Sequence, residues 1–253
     1  MSEEPIILGL DTSTEVGSVA IMRGDALLSD VAGDGNNKHS ARILCEVDEA
    51  LRQAGMIIKD VELFAVARGP GSFTGLRSGI ALGLAFASTL KRPVYGIPTL
   101  RAVAAAAAAG VANCSQVWAL LPAGRSEVLA QLFRVGGEED VDEIEEASHI
   151  SPAALLERAL KLRGAIKWCG RGAEMHAQAI SEYARTHSIE YSEAGENLSA
   201  GGEERRWVIV RAPGRLAATV ARMALREFRE GRVPGGESVR AIYVRAADAE
   251  LKK

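Results

Sequence analysis

In IILGLDTSTEVGSVAIM, residues 6–22, two apolar runs flank a polar turn. Ile6 to Leu10 and Gly17 to Met22 have strand length and are rich in β-branched residues, and DTSTE between them reads as the turn that folds one run onto the other. Arg23-Gly24-Asp25 is a second turn and Ala26 to Val31 a third strand, so the chain opens on a three-strand meander. After the polar GDGNNKHS (33–40), the stripe Ile43, Leu44, Val47 and Leu51 predicts a helix over 41–54, with Ser40 as N-cap and Gly55 as its stop. Leu63 to Ala67 follows as a short buried strand. The glycine-rich RGPGSFTGLR (68–77) then opens a helix over 74–90, followed by a strand at 94–97 and an alanine-rich helix over 100–109.

This βββαβαβα order recurs. Strands are expected at 117–121, 128–133 and, weakly, near Ile144; then a helix at 152–162, a strand at 166–169, a helix at 173–185, a strand at 207–210 and a helix at 215–229. Repetition of one order within an α/β chain implies two similar lobes, each with a mixed sheet flanked by helices, facing each other across a cleft. The lobes are expected over 1–110 and 111–253, with the last helix and the C-terminal segment packing back on the first. Residues 192–206, rich in Glu, Gly and Ser, read as an exposed loop.

The chain has 253 residues, 47% of them hydrophobic, enough for a substantial core, and its net charge of −3 leaves no basic excess for holding a nucleic acid unaided. The start MSEEPIILGLD has no basic segment ahead of a long apolar one, so a cytoplasmic protein is expected. The helix after the glycine loop includes Arg77 and is dense in Gly and Ala, falling short of a membrane span. Cys45, Cys114 and Cys169 are odd in number and far apart, which suits reduced thiols.

The residues also carry a resemblance. DTST at Asp11, Thr12, Ser13 and Thr14, the loop Arg68-Gly69-Pro70-Gly71-Ser72-Phe73-Thr74-Gly75 with Arg77, NKHSARIL (37–44), YGIPTL (95–100), AGRSEV (123–128) and IYVR (242–245) together resemble the TsaB (YeaZ) family of tRNA threonylcarbamoyladenosine biosynthesis. The resemblance is dense over the first half and patchy after it. It implies two actin-like (ribonuclease H-like) lobes, and a non-catalytic scaffold that pairs with its paralogue TsaD through helices of the N-terminal lobe. TsaE would join that assembly, and tRNA would be met only through the complex, with no membrane involved. It implies no cofactor of the chain's own, leaves open ATP or ADP at the complex interface, and leaves open a homodimer when the partner is absent.

The residues themselves are read both ways. DTST could meet nucleotide phosphates through backbone N–H groups and hydroxyls, or Asp11 could simply cap its turn. The glycine loop could bind an anion at a helix start, or Ser72 or Thr74 could cap the helix while Arg68 and Arg77 orient the loop; it lacks the lysine of a P-loop. In the helix that follows, Gly75, Gly79, Gly83 and Ala87 recur every four residues beside Leu76, Ile80 and Leu84. Each helical glycine costs about 0.8–1.0 kcal/mol against alanine, so the row needs a close neighbour, either inside the lobe or on the partner; the resemblance favours the partner.

Against an enzyme, the four histidines, His39, His149, His176 and His187, have no two three or four apart, so no metal site is expected. Pro122 in LPAGR (121–125) stands where the family commonly has an aspartate, which removes the second-lobe acid that a phosphotransferase needs. The rival reading is a small-molecule kinase or ATPase of the actin-like superfamily using Asp11. From Gly201 onward there are twelve Lys and Arg against seven Asp and Glu, and Arg215, Arg222, Arg226 and Arg229 fall near one helix face. That stripe is either a solvated surface or a contact to tRNA phosphates within the complex.

Overall fold

The computed structural model describes residues 4–33, 39–108, 116–124, 126–136, 140–193, 205–211, 214–232, 234 and 239–244. Cys114, Arg125, Arg245 and most of the expected 192–206 loop lie outside them. The chain divides into two compact units, one of residues 1–102 with 214–253, the other of 103–213. The second unit thus ends at Pro213 and does not run to the C-terminus.

The first unit is built on β1 (Ile6–Asp11), antiparallel to β2 (Ser18–Arg23), which is antiparallel to β3 (Ala26–Ala32). Next come α1 (His39–Gln53), the parallel strand β4 (Leu63–Ala67), α2 (Phe73–Leu90) and β5 (Val94–Ile97), giving the sheet order β3-β2-β1-β4-β5. The helix α3 (Thr99–Ala108) leads into the second unit. Every residue of β1 and β4 is buried because helices cover both faces of the sheet. Leu8, Leu10, Val19, Ile21, Phe64 and Val66 pack with Ile43 and Val47 of α1 and Ala87 of α2 on one face.

The second unit repeats the plan. β6 (Gln116–Pro122) and β7 (Val128–Val135) form the hairpin, extended by β8 (Val141–Glu143) and β9 (Ser148–Ile150), both paired with β7. The expected third strand near Ile144 is these two, one on each side of it. There follow α4 (Pro152–Leu160), β10 (Ala165–Cys169), α5 (Arg171–Met175), α6 (Ala177–Thr186), β11 (Glu190–Glu193) and β12 (Arg206–Val210), in the sheet order β11-β12-β10-β6-β7-β8. Trp118 and Trp168 stack with ring centroids 6.4 Å apart, and Trp207 meets Trp168 edge-on at 5.0 Å. The single helix expected over 173–185 is two, broken at His176 (φ −109°, ψ 15°). β11 lies partly in the expected loop; two glutamates in four residues hide an edge strand from propensity.

The last helix, α7 (Ala217–Arg229), returns to the first unit and packs on β1, β2 and β4, where Ala217, Val220, Ala221 and Ala224 are buried. Its start has no cap of its own. Ser18 Oγ of β2 supplies one, accepting from Leu216 N at 3.2 Å and Ala217 N at 3.0 Å. At the other end, the Tyr95 hydroxyl donates to Arg232 O at 2.8 Å, and burial, with Glu227 nearby, pushes its pKa up.

Candidate functional site: the sealed turn and the face of α2

Asp11 ends β1 fully buried, and its carboxylate is closed by its own turn. Oδ1 accepts from Ser13 N at 2.8 Å and Ser13 Oγ at 2.5 Å, and Oδ2 from Thr14 Oγ1 at 2.6 Å. Thr12 Oγ1 donates to Gly75 O at 2.7 Å. The turn is therefore stitched to the first turn of α2, and both oxygens of its acid are engaged from within.

Ser72 caps α2, its hydroxyl accepting from Gly75 N at 3.3 Å, while Ser72 N donates to Ser13 O at 2.8 Å. Protein atoms thus meet two of the N–H groups that an anion at this helix start would use, those of Ser72 and Gly75. Thr99, to which sequence reasoning assigned no role, joins the two loops. Its hydroxyl donates to Ser13 Oγ and accepts from Gly69 N, each at 3.0 Å, and its N–H donates to Gly69 O at 2.7 Å. The available signal was its place after Pro98 at a helix start.

The glycine row of α2 faces inward, which corrects the expectation that it docks a partner. A β-carbon added at Gly75 would lie 1.9 Å from Thr12 O, one at Gly79 2.2 Å from Thr12 Oγ1, and one at Gly83 2.4 Å from Val66 Cγ1. Leu76 and Ala87 are buried with them. The row exists so that α2 can lie against β1, β4 and the DTST turn of its own lobe.

What α2 leaves outside is the opposite arc: Phe73, Thr74, Arg77, Ala81, Leu84, Ala85 and Ser88, all exposed, with the half-buried Ile80 at its edge against the core. Of the expected interface residues only Leu84, 42% exposed, stands on it, with Ile80 at its edge. The arc is apolar save for Thr74, Ser88 and Arg77, the last being the one charged residue in the helix.

Arg68 and Arg77 connect the loop to residues 239–244. Ile242 N donates to Arg68 O at 2.7 Å, Arg68 Nη1 to Arg240 O at 3.4 Å, and Arg77 Nε to the Tyr243 hydroxyl at 3.4 Å. Gly69 has φ +103°, and a side chain there would also strike Ile242 O at 2.7 Å.

In the second unit, Pro122 ends β6 opposite Val128, at the position that Asp11 holds in β1. The connecting turn closes through Ala123 N to Glu127 O and Glu127 N to Gly124 O, both 2.9 Å. His149 Nε2 lies 3.1 Å from Glu127 Oε2, and His187 Nδ1 2.9 Å from Tyr183 O. Among the described residues no group of three or more His, Cys, Asp or Glu could hold a metal ion. Burial pushes the Cys169 thiol far up, despite Lys167.

Three of the four arginines expected to face tRNA have neighbours of opposite charge. Arg229 is paired with Asp25 through two nitrogens, at 3.2 and 2.9 Å, Arg226 with Glu230 at 2.8 Å, and Arg215 with Asp30 at 3.4 Å. Arg222 is half-buried. Burial raises the Asp30 pKa and Arg215 pulls it back, whereas the hydrogen bond from Arg226 is the first cause holding the Glu230 pKa down.

A family model described as TsaD, tRNA N6-adenosine threonylcarbamoyltransferase, matches residues 34–206. The tRNA threonylcarbamoyladenosine biosynthesis protein TsaB of Haemophilus influenzae is 46% identical over 105 residues, covering 40% of this chain and 42% of that protein. Its Escherichia coli counterpart is 37% identical over 98 residues, 39% of this chain and 42% of that protein. The chain thus aligns with less than half the length of either relative. Over almost the whole chain, the structure of YeaZ from Pseudomonas aeruginosa superimposes with a TM-score of 0.69 at 22% identity, covering 94% of this chain and 99% of that one. The two-lobe actin-like fold expected from the sequence is therefore the fold observed.

Proposed function

We propose that this chain, a member of the TsaD family, is of its TsaB (YeaZ) branch and serves as a non-catalytic scaffold subunit for threonylcarbamoylation of N6 of adenosine 37 in tRNAs reading ANN codons. In this reading it pairs with TsaD, the subunit that transfers the threonylcarbamoyl group, while TsaE joins the assembly and tRNA is met only through the complex. It brings no cofactor of its own, works in the cytoplasm, and forms a homodimer when TsaD is absent.

The observation that carries the proposal is the division of labour around α2. The inner face of the helix is consumed in sealing the DTST turn and packing on β4, and the outer face is a mostly apolar arc that stays exposed past the contact of Phe73 and Arg77 with Tyr243. An exposed apolar face of this kind is a docking surface for another protein. The rival reading, a kinase or ATPase, is disfavoured by Asp11, whose two oxygens are engaged by Ser13 and Thr14, and by Pro122 in the second lobe.

Mixing the purified chain with TsaD tests both. The proposal expects a heterodimer by size-exclusion chromatography with light scattering, restored modification in a strain lacking TsaB, and no ATP turnover by the isolated chain. Turnover of ATP with a small acceptor, in the absence of any complex, would establish the rival instead.

A further inference from the structure

Arg77 is exposed, yet it is not loose. Its guanidinium lies 3.9 Å above the Phe73 ring, Nε donates to the Tyr243 hydroxyl at 3.4 Å, and the rings of Phe73 and Tyr243 are themselves 5.3 Å apart. Tyr243 is brought there by a segment anchored through Ile242 N to Arg68 O and through the buried Val239. The orientation of the cation is thus set from two parts of the chain. Its two Nη groups have no partner among the described residues.

We propose that Arg77 is the selectivity element of the α2 docking face, presented so that its outer nitrogens take a single carboxylate from the partner's facing helix. The assignment rests on the docking reading above. A cation carried into an apolar contact must be paired, because a desolvated charge without a partner opposes association strongly. A planar guanidinium whose orientation is already fixed favours the two parallel hydrogen bonds that a carboxylate can accept. A nucleic-acid phosphate is the poorer occupant: phosphate tracks need several cations together, and the rest of this arc is led by Phe73, Ile80, Ala81 and Leu84. A second copy offers no carboxylate on its own α2, which has no Asp or Glu.

The test uses the full chain and TsaD, with the dissociation constant measured by calorimetry. Arg77→Gln is expected to weaken the complex at least tenfold without moving the thermal midpoint of the isolated chain, and Arg77→Lys less. Tyr243→Phe, which keeps the ring and removes the tether, is expected to cost twofold to fivefold. Arg77→Glu is expected to abolish binding, with recovery when one Asp or Glu of the partner's facing helix is reversed to Lys. If wild type binds and Arg77→Gln binds within twofold of it, the assignment is overturned while the docking reading stands. No wild-type complex at all overturns the docking reading, and this assignment with it. Unchanged TsaD affinity together with altered self-association or altered tRNA binding would give Arg77 to a second copy or to a phosphate, and would equally overturn it.

Discussion

Gly75→Ala separates an inward-facing glycine row from an outward-facing one by the sign of its effect. On a helix face with free space, replacing glycine by alanine stabilises by about 0.8–1.0 kcal/mol. Here the new carbon would sit 1.9 Å from the backbone oxygen of Thr12, which no side-chain rotation can move. Thr12 is held by β1 on one side and by the Asp11-capped turn on the other, so the clash is relieved only by shifting α2 or the turn. Overpacking of this kind costs about 1–3 kcal/mol. The shift also loosens the bonds from Thr12 Oγ1 to Gly75 O and from Ser72 N to Ser13 O, at about 1 kcal/mol each. After the alanine gain is subtracted, the net loss is about 2–4 kcal/mol, which lowers the urea midpoint by about 1–2 M for an ordinary m-value. The assay is urea unfolding of the isolated chain followed by far-ultraviolet circular dichroism. Tryptophan emission is the wrong probe, since Trp118, Trp168 and Trp207 all lie in the second unit. An unchanged or raised midpoint would refute the packing of α2 on the DTST turn.

Thr99→Val keeps the shape at the junction of the two loops and removes the hydroxyl that serves both Ser13 and Gly69; a loss of about 1–3 kcal/mol is expected by the same unfolding measurement. Cys45 is exposed and Cys169 buried with its thiol pKa raised, so alkylation of the native chain followed by peptide mass spectrometry should find Cys45 modified and Cys169 untouched until denaturant is added. If α7 meets tRNA within the complex, Arg226→Glu weakens tRNA association by the assembled complex in a salt-sensitive manner; equal affinity at low salt would remove Arg226 from any tRNA contact.

The elements around β1 were legible because their signals are local: apolar runs of strand length, a polar turn between them, and glycine or proline punctuation at 23–25, 55 and 69–71. The repeated order disclosed the second sheet for the same reason. β11 escaped because Glu190 and Glu193 sit at a sheet edge where pairing is supplied by β12, and the break at His176 has no marker of composition. The site divides in the same way. Ser72 as a cap and Asp11 as the acid of its own turn are local relations, available from the sequence as one of two readings. The direction of the glycine row is not local, because spacing by four says that something lies close and is silent on which side of a subunit boundary it lies. Tyr243 beside Arg77 and Thr99 between two loops are contacts across 166 and 86 residues, beyond the reach of any spacing rule.

The central claim, that the outer arc of α2 docks TsaD, is tested most directly by Leu84→Glu. Leu84 is 42% exposed on the side of the helix away from Gly75, Gly79 and Gly83, so a carboxylate there should leave the stability of the isolated chain within about 0.5 kcal/mol of wild type. Measured by calorimetry against TsaD, the heterodimer is expected to be lost while the unfolding midpoint of the isolated chain stays unchanged. Wild-type affinity in the Leu84→Glu chain would contradict the claim.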